Sequence, residues 1–529
     1  MVKADVNFIN GNIYTMKNEG DKIEAFSVQN GKIIAAGTEA EIKKIPAEKT
    51  IDLKGKTVIP GMQNTHCHLA ECAEGKAKVD LGGCKTMDEL LERLTQGLNK
   101  RTGDWLFAYQ ADGEHLVENR LPNRFDLDKV SKDVPIFISA NSLHHFMCNT
   151  KALEVLGITK DWQIPDAIKK LNAVDKEGNP VGSFAEHALL KYINQKKPTA
   201  LSSLENCKKA MYKTLREFSS YGITTMHTCD GFDSSLCDSI SLYQKLEAEG
   251  KLPMRVICNR QTTVGNSLGA VSRLGNDKVK LGAVKLFADG SVAQRSAYLR
   301  SPYNDKPGYY GIPVRTDAEM LEAISAAYSE GNDVCIHVIG DAAVEQVLNC
   351  IEKVWDGSST QQIQLIHGTL IPEDLIERMA KFPVTVDSQA MFLPNMALFG
   401  TDRVGADRAR WFFPFKSLMQ AGIKVTGGDD GPITNPNPFF AIREAVTRET
   451  SFGSGKQFYP EECLSIYEAL SMYTKNAAWN TREETFKGTL ETGKLADFAI
   501  LDKNIFTVPS EEISSIKVLE TYLGGVKIE

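Results

Sequence analysis

The chain has 529 residues, 42% of them hydrophobic and 24% charged, with a formal net charge of -7 and a pI of about 5.9. That composition suits a globular protein with one large core and room for a small second domain, while the acidic balance argues against nucleic acid or an anionic membrane as the main partner. No 18-residue apolar run exists, no apolar stretch follows Met1, and eleven cysteines are scattered without a C-x-x-C pair; the expectation is a cytoplasmic chain with reduced thiols, no signal peptide and no transmembrane helix.

In chain order, the first sixty residues read as short strands and turns. Asp5 to Met16 alternates polar and apolar around Asn10-Gly11, and Ala25 to Ala36 repeats the pattern around Asn30-Gly31, as antiparallel hairpins do. The middle alternates strand-like and helix-like segments. Eight apolar runs rich in β-branched residues stand out: Lys56–Ile59, Val134–Ile138, Gly222–Met226, Ala283–Phe287, Asp333–Ile336, Ile363–Ile366, Val384–Val386 and Gly422–Val425. Amphipathic stretches such as Thr86 to Leu98, Leu204 to Ser219 and Asp317 to Ser329 lie between them. About eight strand–helix units predict a parallel sheet closed into a (β/α)₈ barrel. Two further runs, Trp105–Tyr109 and Met254–Ile257, are extra strand candidates, so the numbering of the strands is open by one. The tail returns to strands, with Ala496–Leu501, Ile516–Tyr522 and Gly524–Ile528. Neither terminal piece is long enough for a stable sheet alone. The expected organisation is therefore a small β-sandwich built from residues 1–58 and 481–529, with the barrel at 59–480. An insertion around residues 72–205 is too long for a simple loop and is expected to cover the barrel mouth.

Metal-competent residues concentrate at the ends of these runs, where a barrel builds its active site. Of nine histidines, His66 and His68 form an H-x-H pair. Residues i and i+2 on a strand point the same way, so two imidazoles converge on one point, an arrangement that suits zinc or a similar ion. His337 ends one run and His367 the next. Lys285 lies inside an apolar strand, where a charged amine is costly; it either snorkels out or pairs with Asp289, or it is carboxylated by CO₂ to become an anionic metal ligand. Asp429 and Asp430 follow Gly427-Gly428, and one of them is a candidate proton acceptor; pattern alone does not choose between them. His115, His187 and His227 read as ordinary surface or core histidines.

Taken together, Val58-Ile59-Pro60-Gly61-Met62-Gln63-Asn64-Thr65-His66-Cys67-His68-Leu69, Lys285-Leu286-Phe287-Ala288-Asp289-Gly290-Ser291, Ile336-His337-Val338-Ile339-Gly340-Asp341 and Gly488-Thr489-Leu490-Glu491-Thr492-Gly493-Lys494-Leu495-Ala496-Asp497 resemble the amidohydrolase superfamily. Within it they are similar to the YtcJ-like branch, which includes N-substituted formamide deformylases. The resemblance covers nearly the whole chain. It implies a distorted (β/α)₈ barrel flanked by a β-sandwich from both termini. It also implies that His66 and His68 hold the more buried of two metals, and that carboxylated Lys285 bridges to a second metal held by His337 and His367. The family acid stands in a D-x-P spacing, which Asp430-Gly431-Pro432 matches, so the resemblance selects Asp430 as catalytic carboxylate and metal ligand.

The branch also carries a histidine five residues before an asparagine, which selects His144 as a ligand for the substrate carbonyl; the doubled His144-His145 leaves the pair open. Glu186 and Arg295 are weaker pocket candidates. The chain departs from the family in two places. Asn64 replaces the acid that often precedes the first histidine. Asp429 replaces a small hydroxyl residue, and its carboxylate is expected to raise the pKa of Asp430 by like-charge repulsion. The expected activity is hydrolysis of a C–N bond in a small amide, an N-substituted formamide or a cyclic amide. One or two divalent ions are implied, zinc first, with iron and manganese as alternatives. A mononuclear deaminase, a lactonase or esterase, and a non-catalytic regulatory protein are the rival readings. A small-molecule substrate is the expected partner, and a homodimer the default assembly.

Overall fold

The computed structural model describes residues 3–99, 101, 104–141, 145–164, 172–185, 189, 192–193, 196–198, 200–201, 203–230, 239–261, 270–357 and 360–529. Two compact units emerge. One comprises Met1–His68, Leu215–Phe232 and Tyr243–Glu529; the other comprises Leu69–Thr214 and Asp233–Leu242.

The first unit is built around eight parallel strands: Met62–Cys67, Ile223–Thr228, Arg255–Gln261, Val279–Phe287, Val334–Val338, Ile363–His367, Val384–Ser388 and Lys424–Gly427, hydrogen-bonded in that order. Helices Asp317–Ser329, Asp341–Val354, Glu373–Met379 and Phe415–Gln420 follow the fourth to seventh strands. Alternation sorts each strand into two faces. In the fifth strand Val334, Ile336 and Val338 pack with Val344, Val347 and Ile351 of the next helix, whereas Cys335 joins Ala283 and Ile366. The first and eighth strands meet beyond their ends, where the Asp430 backbone N–H donates to His66 O at 2.9 Å and Cys67 bridges to Gly431. The barrel is thus nearly closed, as the (β/α)₈ expectation requires.

Two of the eight expected barrel strands belong elsewhere. Thr57–Pro60 pairs with Asn12–Tyr14 and with Phe498–Leu501 in a six-stranded sheet, and Ile136–Ala140 lies in a sheet of the second unit. Their places in the barrel are taken by Met62–Cys67 and Arg255–Gln261. The apolar run from Val58 onward hides a change of sheet at Gly61. A Cβ there would lie 2.2 Å from Thr224 Oγ1, so only glycine lets the chain cross this close to the second strand. The third strand contains most of the extra candidate Met254–Ile257, and its charges are satisfied inside the fold. Arg255 is neutralised by Asp497 at 2.7 and 3.0 Å, and Arg260 donates to Ala270 O and Asn332 Oδ1 at 2.8 Å each.

Both termini build the sandwich. A four-stranded sheet (Lys32–Gly37, Ala25–Gln29, Ala4–Ile9, Ala47–Asp52) packs with the six-stranded one, through a core that includes Phe8, Phe26, Val58, Phe498 and Tyr522. The Asn30-Gly31 turn joins its strands with both residues at positive φ, 50° and 76°, the backbone that favours Asn-Gly in two-residue hairpins. Helix Asp317–Ser329 starts where expected, because the Thr316 hydroxyl accepts from Glu319 N and the Glu319 carboxylate accepts from Thr316 N.

In the second unit, six strands run in the order Asn172–Val174, Pro180–Ala185, His145–Cys148, Ile136–Ala140, Leu106–Ala111 and Val79–Asp80. Helix Met87–Leu98, capped by Thr86, buries Leu90, Leu91 and Leu94. Among the described residues no helix is long and apolar enough to cross a membrane.

Candidate metal centre

The end of the first strand carries His66, fully buried, and His68, half-buried just beyond it. The eighth strand brings Asp430 to both. His66 Nε2 lies 3.1 Å and His68 Nε2 3.4 Å from Asp430 Oδ1, and ligand atoms of all three residues fall within 4.8 Å of one another. Despite its proximity to Asp430, His66 Nε2 has no aligned hydrogen bond among the described residues. A buried ring nitrogen without such a bond, facing a carboxylate and a second imidazole, fits a divalent ion.

Gly428 makes this approach possible. A Cβ there would lie 2.7 Å from His66 N and 2.8 Å from His66 Cβ. Gly428→Ala is therefore expected to force the two strand ends apart, destabilising the fold by about 1–3 kcal/mol as overpacking does and lowering metal content. Thermal denaturation and elemental analysis check this; unchanged metal content would show that the approach is dispensable.

A second pair of ligand atoms lies beside the first group. His367 Nε2 is 3.1 Å from His337 Nδ1, and the His66 and His367 ring centroids are 5.4 Å apart. The outer nitrogens fix the tautomers. His337 Nε2 lies 3.1 Å from Gly290 O, which only accepts. His367 Nδ1 lies 2.6 Å from Gln389 Oε1, and Gln389 Nε2 points at Asp387 O and Oδ1, 3.3 and 3.5 Å away. Those two acceptors orient the Gln389 amide so that its oxygen faces His367. Burial depresses the His367 pKa to about 3, so its ring is neutral. His367 Nδ1 then carries the proton, and its Nε2 presents a lone pair 3.1 Å from His337 Nδ1. A cation held there would be met by both nitrogens.

Lys285, from the fourth strand, is 2% exposed. Its Nζ stands 5.1 Å from the Phe287 ring centroid, with charge interactions reaching His66, His367 and Asp387. The alternative of an ion pair with Asp289 fails. That carboxylate accepts from the backbone N–H groups of Tyr298, Ile339 and Gly340 at 2.8–3.0 Å.

The local field favours a cation. Burial and Lys285 push His66 down, but Cys229 and Asp430 outweigh them and lift it to about 10. Burial would raise Asp430; the facing imidazoles of His66 and His68, 3.1 and 3.4 Å away, instead hold its carboxyl well below the ordinary range. The expectation that Asp429 raises Asp430 is thus reversed. Asp429 is the carboxyl pushed up, to about 6, chiefly by its own burial and further by the charge of Asp430. His367 and Asp430 both adopt left-handed backbone, φ 71° and 52°, a strained conformation that clusters at functional sites.

Arg295 forms an ion pair with Asp305 at 2.6 Å. His144 and Glu186 lie outside the described residues, as does His187; His145 opens a strand of the second unit. His115 is exposed beside Asp112, and His227 is buried with neither ring nitrogen hydrogen-bonded among the described residues. Sequence reading missed Asp387, Gln389 and Cys229. Asp387 accepts from Thr65 Oγ1 at 2.9 Å, and burial lifts its carboxyl to about 7. The signal that would have found it is position: it comes near the end of the seventh strand, on the face that the other site residues share.

The model of the Amidohydrolase family matches residues 49–528. The YtcJ protein of Bacillus subtilis (strain 168) is 30% identical over 97% of this chain and 97% of its own length. The N-substituted formamide deformylase of Arthrobacter pascens is 27% identical, with 99% of this chain and 98% of its own length covered. A solved metal-dependent hydrolase from Pyrococcus horikoshii OT3 superposes with a TM-score of 0.79 at 29% identity, covering 96% of this chain and 99% of that one.

Proposed function

Because this chain belongs to the amidohydrolase family, whose chemistry is metal-dependent hydrolysis, we propose that it cleaves the C–N bond of a small amide, an N-substituted formamide or a cyclic amide. The observation that carries this reading is the convergence of His66, His68 and Asp430 beside the facing nitrogens of His337 and His367. His66, His68 and Asp430 would hold one ion, zinc before iron or manganese, and His337 and His367 a second. When bound, the metal acidifies water and polarises the scissile carbonyl.

The remaining steps fall to the chain itself. Lys285 is buried, with charge interactions reaching His66, His367 and Asp387. Its amine nitrogen adds to CO₂, forming an N–C bond and releasing one proton. The resulting carbamate, with one negative charge shared by two oxygens, would supply an anionic oxygen ligand. Asp430, held ionised, accepts the proton released as water adds to the substrate carbonyl carbon. It then delivers that proton to the departing nitrogen, as a general base turned general acid. Gln389 and Gly290 O keep His367 and His337 in the tautomers that present lone pairs. The nature of the full-length relative from Arthrobacter pascens supports an N-substituted formamide as the first substrate class to test.

The test is turnover of a panel of N-alkyl formamides, acyl amides and cyclic amides by the purified protein, before and after chelation. Activity is expected to vanish on chelation and return with one of zinc, iron or manganese. The same ion should raise Tm, since a ligand bound only by the folded state stabilises it. Turnover indifferent to the chelator would overturn the metal reading. Metal binding without hydrolysis of any amide would overturn the substrate class.

A further inference from the structure

His66 has a second ring nitrogen that the hydrolytic reading does not use. If Nε2 carries the lone pair that meets an ion, Nδ1 carries the proton and needs an acceptor. The atom facing it is Cys229 Sγ, at 3.3 Å. Cys229 follows the second strand and is fully buried, and its backbone N–H donates to Cys67 O at 2.8 Å. This ties the loop after the second strand to the strand that carries His66.

The sulfur is itself held in place. Asn259, in the third strand and 2% exposed, directs Nδ2 at Cys229 Sγ from 3.5 Å. Its amide cannot turn over, because Oδ1 accepts the backbone N–H of Ala283 at 2.8 Å. Gly282 leaves room for that oxygen, since a Cβ there would lie 2.2 Å from it. Asn259 therefore donates to the sulfur, which also hydrogen-bonds with the Cys335 thiol and faces the His66 proton with its remaining acceptor capacity.

We infer that Cys229 is a positioning residue, a sulfur acceptor that fixes the tautomer and orientation of His66, and that Asn259 fixes Cys229 in turn. Carboxylates and carbonyls usually fill this place behind a metal-binding histidine; here the chain uses a thiol group aimed by an amide. The inference rests on His66 being a metal ligand through Nε2. It predicts a protein whose metal affinity depends on a buried cysteine that does not touch the ion.

The experiment is chelator competition for zinc with the full-length wild type and with Cys229→Ala, Cys229→Ser and His66→Ala, together with absorption spectra of the cobalt-substituted wild type and thermal denaturation of each metal-free protein. Cys229→Ala should weaken zinc binding by about 10–100-fold, the usual cost of losing such a partner. Cys229→Ser, which keeps an acceptor, should lie between Ala and wild type. A merely structural role ranks them the other way, because a small apolar side chain suits a buried site better than a hydroxyl. The metal-free melting temperatures separate packing from binding. Equal zinc affinity in wild type and Cys229→Ala overturns the inference while leaving the metal reading intact. An intense sulfur-to-cobalt charge-transfer band in the wild type overturns it in favour of direct ligation. A wild type that binds no zinc, like His66→Ala, sinks the metal reading and the inference together.

Discussion

Replacing Lys285 with Ala is expected to lower metal content from about two ions per chain, as in two-metal hydrolases, to one or none, and to reduce turnover by more than the about 10–100-fold typical of losing an outer partner of a metal ligand. Lys285 is flanked by Val284 and Leu286 in the barrel wall, and its Nζ stands 5.1 Å from the Phe287 ring centroid. Burying a long charged side chain in a barrel wall is costly to the fold. Selection for packing alone would place an apolar residue there. Lys285→Met is therefore the informative companion: it should hold or raise Tm while abolishing the second ion. Elemental analysis of protein expressed with zinc and bicarbonate decides the matter, with short carboxylic acids tested for partial rescue of Lys285→Ala by supplying the missing oxygen ligand. One metal per chain in wild type and variant alike would make Lys285 structural and move the function to a mononuclear enzyme.

Which parts of this centre were legible in the sequence follows from how each is made. His66 and His68 announce themselves, because a period-two spacing on a strand is local. His337 and His367 are legible as the ends of successive apolar runs. Asp387 was not, since Val384-Thr385-Val386-Asp387-Ser388 ends as an ordinary strand does. Its role arises only when barrel closure brings Thr65 within 2.9 Å of it, 322 residues away along the chain. Cys229 and Gln389 likewise gain meaning from partners on other strands. The barrel itself was legible as a count of alternating units, yet two strands were misplaced. Thr57–Pro60 and Met62–Cys67 are separated in sequence by Gly61 alone and belong to different sheets. The third strand, Arg255–Gln261, overlaps the extra candidate Met254–Ile257; its arginines are accommodated by Asp497 and Asn332, partners distant in sequence.

The choice between the adjacent acids yields the other large effect. Asp430→Asn is expected to reduce kcat/KM by about 10²–10⁴-fold, the range a positioned acid–base group contributes, while much of the metal held by His66 and His68 remains. Asp429→Asn should cost far less. The two carboxyls sit in opposite electrostatic states for structural reasons. Asp430 faces His66 and His68, which keep it ionised and ready to accept a proton. Asp429 Oδ1 is occupied by the Gly431 backbone N–H at 2.9 Å, and its other oxygen is buried without a partner among the described residues. A group pinned to its own turn is poorly placed to carry a proton between water and a leaving nitrogen. Kinetics on whichever amide turns over, paired with metal analysis of each variant, separates loss of the shuttle from loss of the ion. An active Asp430→Asn beside an inactive Asp429→Asn that keeps its metal would transfer the role to Asp429. It would also mean that the D-x-P spacing, which selected Asp430 from sequence, marks a turn in this chain rather than the reacting group.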